Sequence, residues 1–164
     1  MIASARMTNE ELFLARRLAM TLSIELFDVL PRPQKGDGFL ISEDGNPNTM
    51  GAKLIGAATG KLQEIASGVS SGTIKSLLVL GEDALECGVS ETDLEKLDSL
   101  VVTAILPATR TTASATVLLP AASWAEKRGS MINLKGRLQR LNQAISSPGG
   151  LATTGRFFAT SSRR

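Results

Sequence analysis

The chain has 164 residues, enough for one domain with a buried core, and 43% of them are hydrophobic, as in globular proteins. Its net charge of +2 is too small to indicate nucleic-acid binding, and no apolar run approaches the roughly 18 residues of a membrane-spanning helix. The chain has no histidine, and its one cysteine, Cys87, cannot form an internal disulfide or hold an iron–sulfur cluster, which needs about four cysteines.

A first helix is predicted over residues 8–22. Thr8 and Glu11 have the spacing of a capping box, in which each side chain accepts a hydrogen bond from the backbone of the other residue. Leucines then recur at every fourth position and predict the buried face of this helix. These leucines are Leu14, Leu18 and Leu22.

A strand is predicted over residues 24–30. Pro31 and Pro33 end it, because proline cannot donate to a strand ladder. Residues 31–51 are rich in glycine, proline, asparagine and aspartate, which indicates a long irregular segment. A loop of this length in a compact domain is expected either to be functional or to contact another part of a larger assembly.

Three continuous apolar runs predict the buried strands of a mainly parallel sheet. They cover residues 77–80, 101–106 and 116–119. Helical patterns flank the first run. Apolar residues have helical spacing near residues 62–69 before it, and Ser90 can cap a helix after it. The predicted fold class is therefore α/β with a Rossmann-like layer.

The end of the chain departs from this pattern. Residues 131–145 alternate apolar and polar side chains, which predicts a C-terminal hairpin or extended arm. Residues 148–164 are small and polar and are expected to form a flexible tail. Both the loop 31–51 and the arm 131–145 are expected to pack poorly within 164 residues, which predicts an interaction surface there.

Residues 117–139 carry the most specific pattern, V-L-L-P-A-A-S-W-A-E-K-R-G-S-M-I-N-L-K-G-R-L-Q. This segment resembles a recurring part of the molybdopterin oxidoreductase family, and within it the large iron–sulfur subunit of respiratory NADH-quinone oxidoreductase. Supporting stretches are T-N-E-E at 8–11, N-P-N-T-M-G-A at 46–52 and the strand followed by Gly-Glu-Asp at 77–83. Together they cover residues 6–147, and the chain resembles a domain excised from a larger protein.

The resemblance implies a nucleotide contact at two loops. In catalytic members of the family, the corresponding loops approach the nucleotide of a guanine-dinucleotide pterin cofactor. The matching positions here are Gly81, Glu82, Asp83, Thr109 and Thr111. The alternative interpretation of Gly81, Glu82 and Asp83 is a plain strand-to-helix turn. The family usually has an aspartate where this chain has Thr116, and a glutamate where it has Lys135.

Four polar residues of the 117–139 pattern are interpreted as a structural polar knot. Arg137 is expected to pair with Glu126 through its fork-shaped donor group, and Asn133 to satisfy a turn; Gln139 completes the set. The alternative is a ligand or partner site. Trp124 is expected to pack against the domain rather than to stack on a base.

The resemblance implies a structural and assembly domain of the large iron–sulfur subunit of NADH-quinone oxidoreductase, without catalytic or metal-binding residues of its own. No cofactor is expected in this fragment, although the parent protein would carry iron–sulfur clusters. The alternative is a domain enclosing molybdopterin guanine dinucleotide in an active oxidoreductase such as a formate dehydrogenase. Expected partners are the parent's other domains and the subunits of a respiratory complex, in the cytoplasm at the inner membrane. An unrelated nucleotide-binding module is disfavoured, because the chain has no complete phosphate-binding glycine motif.

Overall fold

A parallel five-stranded sheet organises the protein, whose computed structural model describes residues 1–148. The strand order is β2-β1-β3-β4-β5, and every pairing is parallel. The strands are β1 (Ile2–Ala3), β2 (Asp28–Val29), β3 (Ser76–Leu80), β4 (Ser99–Ala104) and β5 (Val117–Pro120). The predicted α/β class is therefore confirmed, including the three parallel strands that the apolar runs predicted.

Helices connect the strands, and a small antiparallel hairpin follows the sheet. The helices are α1 (Asn9–Thr21), α2 (Thr49–Ile55), α3 (Leu62–Ser70), α4 (Glu91–Leu94) and α5 (Arg110–Ala113). The hairpin consists of β6 (Gly129–Ile132) and β7 (Leu138–Leu141), as the alternation at 131–145 predicted. Within residues 1–148 no helix is long and apolar enough to cross a membrane. Of the predicted tail, residues 149–164 lie outside the part of the chain that the structure describes.

The first helix begins as predicted but buries a different face. Thr8 accepts a hydrogen bond from the backbone of Glu11, and Glu11 accepts one from the backbone of Thr8, which forms the capping box. The predicted leucine stripe is only partly buried, since Leu18 packs against the edge of the core but Leu22 is 58% exposed. The fully buried apolar side chains of α1 are Leu12, Ala15 and Ala19, which belong to one core cluster with Phe27 and Leu80.

The second strand is much shorter than predicted. Only Asp28 and Val29 pair with β1, and the preceding residues are irregular. The Asp28 carboxylate accepts hydrogen bonds from the backbones of Val29, Thr59 and Leu62 at 2.8–2.9 Å. These bonds satisfy backbone donors beside β2, the edge strand of the sheet. Unpaired backbone groups on an edge strand can otherwise pair with another chain.

The hydrophobic core lies on both faces of the sheet. Ile65 and Val69 of α3 pack on one face with Leu100. Leu12 of α1 and Phe27 pack on the other face. Because both faces are covered, the central strands are continuously apolar, as parallel strands usually are.

The hairpin is held against the first two helices by polar contacts. The hydroxyl of Ser130 donates to the Glu10 carboxylate and accepts from the side chain of Asn9. The side-chain oxygen of Asn48 accepts from the backbone of Ile132 at 2.8 Å. The hairpin is thus part of the same domain, although its outer strand is exposed.

Candidate functional site

A cleft of about 410 Å³ opens at the carboxyl ends of four strands. In open parallel sheets this edge is where ligands bind, because the loops that follow the strands converge there. Its size lies within the range of small-molecule sites. The residues that line it are Ser4, Arg6, Met7, Gly81, Thr103, Ile105, Ala121, Ala122, Trp124 and Lys127.

Gly81 forms the floor of this cleft directly after β3. Its backbone N–H donates to the carbonyl of Thr103 at 2.9 Å, which joins the ends of β3 and β4. Its φ of 70° lies in the left-handed region that favours glycine. Gly81 therefore turns the chain away from the sheet without placing a side chain in the cleft.

Thr103 supplies an unpaired polar group beside Gly81. The residue is only 2% exposed, and its hydroxyl has no hydrogen-bond partner among residues 1–148. Buried hydroxyls nearly always have a partner, because leaving one unsatisfied costs about 1–3 kcal/mol. Because the hydroxyl oxygen is itself buried, a ligand in the cleft bonds to it only when the Thr103 side chain rotates toward the cleft.

Glu82 belongs to a separate ionic cluster. Its carboxylate lies 2.6 Å from the guanidinium of Arg32, which follows β2, and its side chain is buried. Arg32 also contacts Glu86 at 2.8 Å. Glu82 thus ties the loops after β2 and β3 together and does not line the cleft.

The remaining loop residues expected at a nucleotide contact each other or their own backbone. The hydroxyl of Thr111 donates to the Asp83 carboxylate and accepts from the backbone of Ala84. Thr109 caps α5 by accepting from the backbone of Thr112. Of the five expected residues, Gly81 lines the cleft, while the side chains of the other four shape the two loops around it.

Trp124 stands at the mouth of the cleft and is 69% exposed. The expectation that it packs against the domain is therefore wrong. Its backbone is held by a 3-10 turn over Trp124–Glu126, in which the Glu126 carboxylate accepts from the backbone of Ser123 at 2.7 Å. The backbone that carries the exposed indole is thus ordered.

The expected pairing of Arg137 with Glu126 is absent from the ion pairs of the described residues. Glu126 instead closes the turn after Ser123, and Arg137 is exposed on the hairpin. Asn133 does satisfy a turn, since its side-chain oxygen accepts from the backbones of Lys135 and Arg137. Gln139 is exposed on β7. The four residues therefore occupy two separate turns and a strand.

An ion pair that the sequence did not reveal lies behind the cleft. The ammonium of Lys127 is 2.7 Å from the Glu11 carboxylate, and both side chains are buried at 8% and 5% exposure. The two residues are 116 positions apart, so no local sequence pattern indicates that they pair. Glu11 also receives the backbone N–H of Thr8, so one carboxylate caps α1 and anchors the cleft wall.

Cys87 has the properties of a structural residue. Burial, followed by the nearby carboxylates of Glu82 and Glu86, raises the pKa of its thiol to about 12. The thiolate is the reactive form of cysteine, so a thiol with this pKa is a poor nucleophile. No group of histidine, cysteine or carboxylate side chains that could hold a metal occurs in the part of the chain that the structure describes.

Comparisons with known proteins show which family the chain is similar to. A profile of the molybdopterin oxidoreductase family matches residues 7–152. The F420-dependent formate dehydrogenase 1 subunit alpha of Methanococcus maripaludis is 41% identical over 83 residues, which is 46% of this chain and 12% of that protein. The F420-dependent formate dehydrogenase subunit alpha of Methanocaldococcus jannaschii is 40% identical over 87 residues, covering 49% of this chain and 12% of the relative.

A relative with a different activity in its name matches a longer stretch of the chain. The NADPH-Fe(3+) oxidoreductase subunit alpha of Geobacter sulfurreducens is 34% identical over 103 residues, which is 60% of this chain and 12% of that protein. The chain therefore corresponds to about an eighth of the length of these curated relatives, each of which it covers to 12%.

Proposed function

Because the chain belongs to the molybdopterin oxidoreductase family, we propose that it is the domain that encloses the nucleotide end of a molybdopterin guanine dinucleotide cofactor. The unpaired hydroxyl of Thr103, in the wall of a cleft at the carboxyl edge of the sheet, is the observation that carries this proposal. A nucleotide offers donors and acceptors that satisfy such a group, and this edge is the usual site for nucleotides in open parallel sheets.

The chemistry of the cleft suits this ligand. Arg6 provides a cation for a diphosphate, and Gly81 leaves the backbone open to close approach. Lys127 lines the same wall, but its charge is neutralised by Glu11, which makes it an anchor. When bound, the cofactor would supply the redox centre, while these residues hold and orient its nucleotide end.

The relatives favour an oxidoreductase of the formate dehydrogenase type over the large iron–sulfur subunit of NADH-quinone oxidoreductase. Of the relatives described above, those of Methanococcus maripaludis and Methanocaldococcus jannaschii are formate dehydrogenase alpha subunits, and that of Geobacter sulfurreducens is an NADPH-Fe(3+) oxidoreductase. We therefore propose the cofactor-enclosing role as the primary function. The assembly role in a respiratory complex is the second candidate, and the exposed apolar residues after β4, Ile105 and Leu106, favour a covering partner in either case.

Calorimetric titration of guanosine diphosphate into the full 164-residue chain tests the proposed function. We expect saturable binding by the wild-type chain. Thr103→Val keeps the shape of the side chain and removes the hydroxyl, so it should weaken binding by about two- to tenfold, the value of one hydrogen bond.

Phe39→Ala is the matched control, because Phe39 is exposed on the loop before α2 and does not line the cleft. It should bind guanosine diphosphate as the wild-type chain does. Absence of saturable binding by the wild-type chain would contradict the proposed function.

A further inference from the structure

Trp124 is an exposed aromatic side chain with no structural reason to be exposed. It is 69% accessible, whereas the adjoining Ala121 and Ala122 are buried. A tryptophan can bury more apolar surface than most side chains, and leaving it in water forfeits that stabilisation. Because Trp124 lines the mouth of the cleft, a ligand in the cleft can contact the exposed ring.

The turn that carries Trp124 is rigid on both sides. Ser123 is fixed by the Glu126 carboxylate before the indole. After it, the carbonyl of Ala125 accepts from the backbones of Ala144 and Ile145 at 2.8 and 3.1 Å. The backbone at Trp124 is therefore already ordered, and only the two side-chain torsions of the indole remain to be fixed when a flat ligand binds.

The groups around the indole divide the cleft into two chemical regions. Ile105, which follows β4, and Trp124, which follows β5, offer apolar surface on one side of the cleft. Arg6, which follows β1, offers a cation on the other side. A planar ring attached to a negatively charged group matches both regions at once.

We propose that Trp124 is the stacking residue of the cleft, on which the purine base of the bound nucleotide lies. This inference rests on the proposed function and specifies how the base is held. Stacking recognises the face of the ring, while Thr103 is placed to recognise a polar edge.

The composition of the chain provides a direct readout. Trp124 is the one tryptophan, and the chain contains no tyrosine, so the intrinsic fluorescence excited at about 295 nm reports this residue alone. Guanosine diphosphate titrated into the full chain should quench this fluorescence with the same midpoint as the calorimetric titration. Inorganic pyrophosphate, which has no base, should leave the fluorescence unchanged.

Two substitutions separate stacking from other effects of the ring. Trp124→Ala should weaken guanosine diphosphate binding by at least about fivefold, and Trp124→Phe by less, because phenylalanine retains a smaller stacking surface. Neither substitution should change the affinity for pyrophosphate. Both variants should keep the thermal midpoint of the wild-type chain, since the indole is exposed.

The outcomes distinguish this inference from the function on which it rests. If guanosine diphosphate binds by calorimetry but neither quenches Trp124 nor binds Trp124→Ala more weakly, the stacking role is wrong and the cofactor-enclosing role stands. If the wild-type chain shows no binding by calorimetry, the proposed function fails, and the stacking role fails with it. Equal weakening of pyrophosphate and guanosine diphosphate by Trp124→Ala would also overturn stacking, because it would mean that the ring acts on the phosphates.

Discussion

The buried ion pair of Glu11 and Lys127 carries the greatest energetic consequence of any single contact in the site. Removing one partner from a buried pair leaves the other charge without compensation, which typically costs about 3–5 kcal/mol. Lys127→Met should therefore lower the free energy of unfolding by roughly 3–5 kcal/mol in urea denaturation. Loss of the Thr8 cap is not involved, because the Glu11 carboxylate remains.

A double variant tests the origin of that loss. Glu11→Leu combined with Lys127→Met removes both charges, so it should be less destabilised than the sum of the two single variants. Strict additivity of the three measured free energies would show that the two side chains do not interact in the folded protein. Lys96→Met serves as the control, because the side chain of Lys96 is about half exposed, so loss of its ion pair with Asp93 should cost much less than loss of the Glu11–Lys127 pair.

The two buried threonines of the site are expected to respond in opposite ways to the same substitution. Thr111→Val removes a hydroxyl that donates to Asp83 and accepts from Ala84, so it should lower stability by about 1–3 kcal/mol. Thr103→Val removes a hydroxyl without a partner among residues 1–148, so the free chain should be as stable as the wild type or more stable. Thermal unfolding of both variants without nucleotide makes the comparison, and an equal loss in both would show that Thr103 is hydrogen-bonded in solution.

Cys87 should be unreactive in the folded chain. Its thiol has a pKa of about 12, raised first by burial and then by the carboxylates of Glu82 and Glu86, so almost no thiolate exists at about pH 8. Ellman's reagent at that pH should label Cys87 only after unfolding in guanidinium chloride. Rapid labelling of the native chain would place the thiol at the surface and contradict its burial in the core.

At the scale of secondary-structure elements, local signals were predicted well and long-range ones were not. The two residues of the capping box, Thr8 and Glu11, are three positions apart, so its geometry follows from sequence spacing alone. The fully buried apolar side chains of α1 are Leu12, Ala15 and Ala19, and tertiary packing, which leucine spacing alone does not show, determines this face. Strand β1 has two residues, too few for a periodic pattern, although it lies within the sheet between β2 and β3.

In the candidate site, too, the features that depend on local sequence could be predicted, and those that depend on long-range contacts could not. Gly81 follows an apolar run, so a glycine turn at a strand end was expected there, and the structure places it in the cleft. The partner of Glu11 could not be inferred, because Lys127 is 116 positions away. The exposure of Trp124 depends on the turn that Glu126 closes, and a tryptophan in a short helical segment is more often packed.

The hairpin and the loop before α2 should exchange amide hydrogens at different rates along their lengths. In the hairpin, β6 contacts α1 and α2 through Ser130 and Ile132, while β7 is exposed. In the loop, Asp37 holds an exposed apolar turn through hydrogen bonds from the backbones of residues 39–41. Hydrogen-exchange mass spectrometry should therefore show both segments less protected than β3, because their backbone bonds are solvent-accessible. Protection equal to that of β3 throughout would show that both segments belong to a self-sufficient core.

At the scale of the whole molecule, the carboxyl edge of the sheet combines the cleft with exposed apolar side chains beside it. Ile105 and Leu106, which follow β4, are 56% and 69% exposed. The relatives are about eight times longer than the matched segments, which cover 12% of their length. Exposed apolar side chains that lie together on one edge are typical of an interaction surface, and we propose that another domain of a larger protein covers Ile105 and Leu106.

The isolated chain should therefore associate weakly through this edge, and a polar substitution there should prevent it. Leu106→Gln is expected to reduce concentration-dependent light scattering while leaving the thermal midpoint within about 1–2 °C of the wild type, because surface substitutions usually change stability by less than about 0.5 kcal/mol. Leu100→Gln, at a buried position on the preceding strand β4, is the matched comparison and should lower the midpoint strongly, since it buries an amide without a partner. If Leu106→Gln lowers the midpoint as much as Leu100→Gln, Leu106 contributes to the core of the isolated chain. The edge after β4 would then be closed by the domain itself and would offer no surface to a neighbouring domain.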